Sequence, residues 1–126
     1  MSNCFNKQNR STLVINFTST SEALTHLKNL IQREVIHPED FKLAQLSYNA
    51  HEGLGECGTP KYFPLKFIGE YMEVWVSSVA AGYRGEGPHG TIEALNLMGF
   101  EMDDEMKEVI FTKKVTAEIF NKWHLT

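Results

Sequence analysis

Two alternating runs around Gly69-Glu70 constrain this chain more than any other stretch. Before the glycine, Phe63, Leu65 and Phe67 alternate with Pro64, Lys66 and Ile68; after it, Met72, Val74 and Val76 alternate with Glu73 and Trp75. A period of two marks a strand with one buried face. Glycine at the first position of a two-residue loop suits a type II′ or I′ hairpin. Pairing Ile68 with Tyr71 sets Phe67 against Met72, Leu65 against Val74 and Phe63 against Val76 on one face. Lys66 then opposes Glu73 on the other face, an opposite-charge cross-strand pair. That outer face, with Pro64, Lys66, Ile68, Tyr71, Glu73 and Trp75, is only half polar.

The rest of the chain reads as further strands and helices around this hairpin. Residues 1–11 read as a mobile tail and residues 12–126 as a single domain. Leu13, Ile15 and Phe17 alternate across a first strand, Thr12 to Phe17. Ser19 and Glu22 stand three apart, the capping-box signature of a helix start. Leu24, Leu27, Ile31 and Val35 follow at helical spacing, so a helix runs toward Ile36 until His37-Pro38 ends it. Ala44, Leu46 and Tyr48 alternate in another strand. A helix from about Thr91 carries Ile92, Leu95 and Met98, with Gly99 as a left-handed C-terminal cap and Phe100 as its hydrophobic follower. Val109 to Phe111 reads as a short strand, and Thr116 opens a last helix with Ile119, Phe120 and Trp123. The order predicts an α+β fold: a mostly antiparallel sheet of about four strands with two to three helices packed on one face.

Composition bounds the class. With 126 residues, 42% of them apolar and 22% charged, the chain suits one globular domain with a core of its own. Twelve Lys and Arg against sixteen Asp and Glu give a net charge of −4, which argues against non-specific binding to nucleic acid or to an anionic membrane. Neither an apolar leader nor a run of about 18 apolar residues is present, and two cysteines make no disulfide framework. The expected location is cytoplasmic.

The stretch Gly82-Tyr83-Arg84-Gly85-Glu86-Gly87-Pro88-His89-Gly90-Thr91 satisfies G-x-G-x-x-G through Gly85, Gly87 and Gly90. Such a loop, opening a helix, can cradle a phosphate on free amides. A dinucleotide site needs more than the chain offers. The strand before the loop belongs to an antiparallel hairpin, the acids beyond the loop cluster ten to eighteen residues on, and Glu86 would repel the phosphate. A weaker anion site remains, with Arg84 and His89 flanking the amides of Gly90 and Thr91. The competing reading is a tight connection whose glycines supply positive φ while Thr91 caps the helix.

His51, Glu52, Glu56 and Cys57 lie within seven residues, and His89 joins them if the two glycine-rich loops are neighbours. Their spacing is not that of a zinc site, so neither a metal nor a cofactor is expected. Cys57 with His51 or His89, the imidazole oriented by Asn49, would make a nucleophile and base. The alternative is an ordinary loop thiol. No coherent catalytic set emerges, and a binding protein is the stronger reading over an enzyme.

Residues 101–108 hold Glu101, Asp103, Asp104, Glu105 and Glu108 with Lys107 alone in opposition, a local charge of −4 that matches that of the whole chain. Such a run is either a solvated helix start or a docking patch for a cationic partner. Tyr71 and Trp75 on the outer hairpin face are either covered by a terminal helix or exposed as an aromatic anchor. Three functions follow. The first is a small acidic protein that docks on or neutralises a basic protein partner, in the manner of an immunity protein or antitoxin. The second is a module for a nucleotide or other phosphorylated small molecule, held by Arg84, Gly85, Gly87, His89, Gly90 and Thr91. The third is an enzyme using Cys57, His51 or His89.

Overall fold

The computed structural model describes residues 10–47, 63–80, 82, 84–112 and 118–122. Five strands and three helices stand among them, in the order β1 (Ser11–Ile15), α1 (Thr20–Gln32), β2 (Phe41–Leu46), β3 (Leu65–Gly69), β4 (Met72–Val76), α2 (Glu86–Leu97), α3 (Asp104–Thr112) and β5 (Glu118–Asn121). A single turn of 3-10 helix, Pro38–Asp40, leads into β2. The fold is α+β, as the sequence predicts, with five strands where about four were expected. Their spatial order is β1-β4-β3-β2-β5, and every pairing is antiparallel except β1 with β4. The core lies between one sheet face and the helices. Ile15, Ala44, Leu65, Phe67, Val74, Val76 and Phe120 meet Ala23 and Leu27 of α1, Ala94 and Leu95 of α2, and Ile110 of α3.

The central hairpin forms from the two runs, with each apolar residue of its ladder on the expected face, but its register differs by two residues. Leu65 pairs with Val76, Lys66 with Trp75, Phe67 with Val74 and Ile68 with Glu73. Alternation fixes which face a side chain takes; a slip of one reverses it, whereas a slip of two preserves it. The loop residues are therefore Glu70 and Tyr71, and neither has positive φ, which excludes the type I′ and II′ turns. Gly69 belongs to β3 and answers to packing. A Cβ there would lie 2.9 Å from the Asp40 carbonyl oxygen and 3.2 Å from Cδ1 of Phe41. Phe63 does not face Val76; it precedes β3, and its ring packs 5.8 Å from that of Trp75.

Ser19 caps α1 as its spacing with Glu22 predicts, its hydroxyl accepting from the Glu22 amide at 3.1 Å. The helix stops at Gln32, four residues short of Ile36. Glu34 takes φ 61°, and the Val35 amide reaches back to the Leu30 carbonyl at 2.9 Å, which closes the helix in a Schellman arrangement and turns Ile36 into the core. The same closure ends α2: Gly99 has φ 89°, the Phe100 amide donates to the Leu95 carbonyl at 2.9 Å, and Phe100 is buried. Here sequence and structure agree.

Three expectations about the later elements are corrected. Helix α2 begins at Glu86, five residues before Thr91, so most of the glycine-rich stretch is helix. Val109 to Phe111 lies in α3, where Ile110 is buried, and is not a strand. Residues 118–121 are a strand, β5, that adds to β2 through Phe120 against Ala44, where a helix was expected. Thr116 and Trp123 lie outside the described residues.

Candidate functional site

The strands and helices bring together residues that the sequence assigned to rival sites. Arg84, six residues beyond Ser78 and just before α2, sends its guanidinium nitrogen to both carboxylate oxygens of Glu108 on α3, each at 2.8 Å. The same guanidinium lies 4.7 Å over the Phe111 ring, and the His89 imidazole meets that ring edge-on at 4.9 Å. One cation of the expected anion site is thus neutralised by one acid of the expected docking patch. Neither Glu108 nor Phe111 carries a local sequence signal for this, since 24 residues separate Arg84 from Glu108.

The remaining members of the glycine-rich stretch are helical. Gly85 is the N-cap of α2, Gly87 and Pro88 lie in its first turn, and Gly90 and Thr91 follow in its second. Amides in the second turn are committed to the helix ladder and are not available to a phosphate. Pro88 has no amide to offer. The Thr91 hydroxyl is fully buried and donates to the Ala80 carbonyl at 2.6 Å while accepting from the Ala80 amide at 3.1 Å. Gly90 is where α2 crosses the start of α1: a Cβ would stand 2.4 Å from Cγ2 of Thr20 and 3.3 Å from Cγ1 of Val79. Its role in this structure is close packing.

The acidic run sits at the start of α3. Asp103 caps the helix, its carboxylate accepting from the Met106 amide at 2.8 Å. Asp104 and Glu105 occupy the first turn, where the helix dipole favours negative charge. Glu101, Asp103, Asp104, Glu105 and Glu108 are all exposed. Among the described residues the ion pairs are Arg10–Glu73, Lys28–Glu93 and Arg84–Glu108, so Glu101, Asp104 and Glu105 are exposed carboxylates with no ion pair among those residues.

The outer sheet face is organised by Glu73. One of its oxygens accepts from the Trp75 indole at 2.8 Å, the other from Arg10 at 2.7 Å. Lys66, moved opposite Trp75 by the true register, stacks 4.2 Å over its ring. Trp75 is half-buried in this network, whereas Tyr71, at the hairpin tip, is 74% exposed. Phe120, expected on a terminal helix, points into the core from β5.

His51, Cys57 and Asn49, with Glu52 and Glu56, lie outside the described residues. Among the described residues no three His, Cys, Asp or Glu side chains gather closely enough to hold a metal ion, and no helix is long and apolar enough to cross a membrane. In comparisons with known proteins, no family model, curated protein or solved structure matches this chain.

Proposed function

We propose that this chain is a small acidic binding protein that docks on a basic protein partner through the start of α3, in the manner of an immunity protein or antitoxin. The observation that carries the reading is the set of exposed carboxylates at Glu101, Asp104 and Glu105, which have no ion pair among the described residues. Charges held in this way cost little to keep in water and attract a cationic surface from a distance, so they favour partner choice and fast association. Asp103 and Glu108 stand beside them in supporting parts, one capping the helix and the other holding Arg84. The phosphate-binding alternative is weaker, because the amides it needs at Gly90 and Thr91 lie inside α2 and Arg84 is already paired.

The test is affinity capture from host lysate with the wild-type chain and with a Glu101→Lys, Asp104→Lys, Glu105→Lys variant. Asp103 is spared because losing its cap would cost about 1 kcal/mol of stability and blur the result. The reading expects a basic chain retained by wild type at low salt, released at high salt, and absent from the variant. Retention of the same chains by both proteins would sink it.

A further inference from the structure

Among the described residues strand β1 is an edge of the sheet, and its outer side, to which no described strand is paired, has an unusual make-up. The Ser11 amide donates to the Tyr71 carbonyl and the Ile15 carbonyl accepts from the Ser77 amide, so the odd-numbered residues of β1 bond toward β4. By the alternation of a strand, the amides and carbonyls of Thr12 and Val14 point outward, away from β4. A free edge is usually blunted with charge, proline or a bulge. This one is not: residues 11–21 carry no charged side chain and no proline. The opposite edge, β5, starts at Glu118 and is followed by Lys122.

Exposed apolar side chains gather along the same edge. Of the five large hydrophobic residues exposed among those described, Val14, at 43%, lies on β1 and Phe17 follows it by three residues. A third, Tyr71, carries the carbonyl to which the Ser11 amide is bonded.

We infer that β1 pairs antiparallel with β1 of a second copy of this chain, joining two five-stranded sheets into one. The strand is its own complement. A two-fold axis at Leu13 sets Thr12 against Val14 of the second copy, so the outward backbone groups of both residues are satisfied in both copies. The same register sets Ser11 against Ile15 and Arg10 against Asn16, with no like charges opposed. That neutrality matters because each copy carries a net charge of −4, and a contact that opposes no acids does not add local repulsion to that of the two net charges. A second copy is favoured over a different strand for this reason: one uncharged, β-branched segment supplies both sides of the contact. The inference rests on β1 alone and stands apart from the partner proposed for α3.

Sedimentation equilibrium of the intact chain, from about 1 to about 200 μM, tests it. The expected result is a concentration-dependent dimer of the 14.4 kDa chain. Val14→Lys, which places a charge on the edge, and Thr12→Pro, which removes an outward amide, are each expected to raise the dissociation constant at least about tenfold. Ile119→Lys on the other edge should leave it unchanged. Hydrogen exchange on the unaltered chain reads the same contact, with the Thr12 and Val14 amides gaining protection as concentration rises. A single-chain mass throughout, a dimer that survives both β1 variants, or loss of the dimer in Ile119→Lys would each overturn the proposal.

Discussion

At the scale of single residues, two side chains occupy positions that their chemistry does not favour. Glu34 holds φ 61° to close α1, a conformation that costs an L-residue about 1 kcal/mol and that glycine adopts freely. Glu34→Gly is therefore expected to stabilise the fold by about 0.5 kcal/mol after glycine's greater freedom in the unfolded chain is counted, as read by urea denaturation. Lys122 is the second. Its ammonium donates to the Pro38 carbonyl at 2.9 Å and lies 4.7 Å over the Phe100 ring. Burial pushes its pKa below the ordinary 10.5, Lys42 adds to the effect and Glu39 opposes it. The unfolded chain then binds this proton more tightly than the folded one, so a penalty is present in full below the lowered value and is relieved as the pH climbs toward 10.5. In Lys122→Met this contribution disappears. Melts at about pH 8 and about pH 10 should show stability gained by wild type relative to the variant at the higher pH.

At the scale of elements, the legible parts are those whose signal is local. The Ser19 cap with Glu22, the Gly99-Phe100 closure and the two faces of the central hairpin each depend on residues within a few positions of one another. What escaped depends on contacts between distant residues. The hairpin register places Gly69 within β3, close against the start of β2, an approach that alternation does not see. Residues 118–121 are too few to display a period, and they become a strand because β2 offers them a free edge. The start of α2 was hidden by three glycines with poor helix propensity. Gly90 is kept there because Thr20, its hydroxyl bonded to the Ser78 carbonyl at 2.5 Å, stands where a side chain would go. This gives an expected sign opposite to that of helix propensity. Gly90→Ala should gain about 1 kcal/mol from propensity yet lose about 1–3 kcal/mol to overpacking, leaving the protein less stable in thermal denaturation. A more stable variant would contradict the close crossing of α1 and α2.

At the scale of the whole molecule, charge is unevenly spread. The net −4 of the chain equals that of residues 101–108 alone, and there it sits on exposed carboxylates at one helix start. The sequence showed this patch plainly, because charge density is a local property. It did not show that Glu108 belongs with Arg84 and Phe111, or that Asp103 is a cap, since those roles exist only once α3 has formed and docked beside α2. The docking proposed for the start of α3 sets Glu101, Asp104 and Glu105 against cationic side chains of another protein. Zero-length carbodiimide coupling in host lysate, read by mass spectrometry, joins a carboxylate only to an amine already in contact with it. The expected products are isopeptide bonds from Glu101, Asp104 or Glu105 to lysines of a basic chain, lost when coupling is done at high salt. Intermolecular links that arise only from carboxylates elsewhere, such as Glu93 or Glu22, would contradict the account.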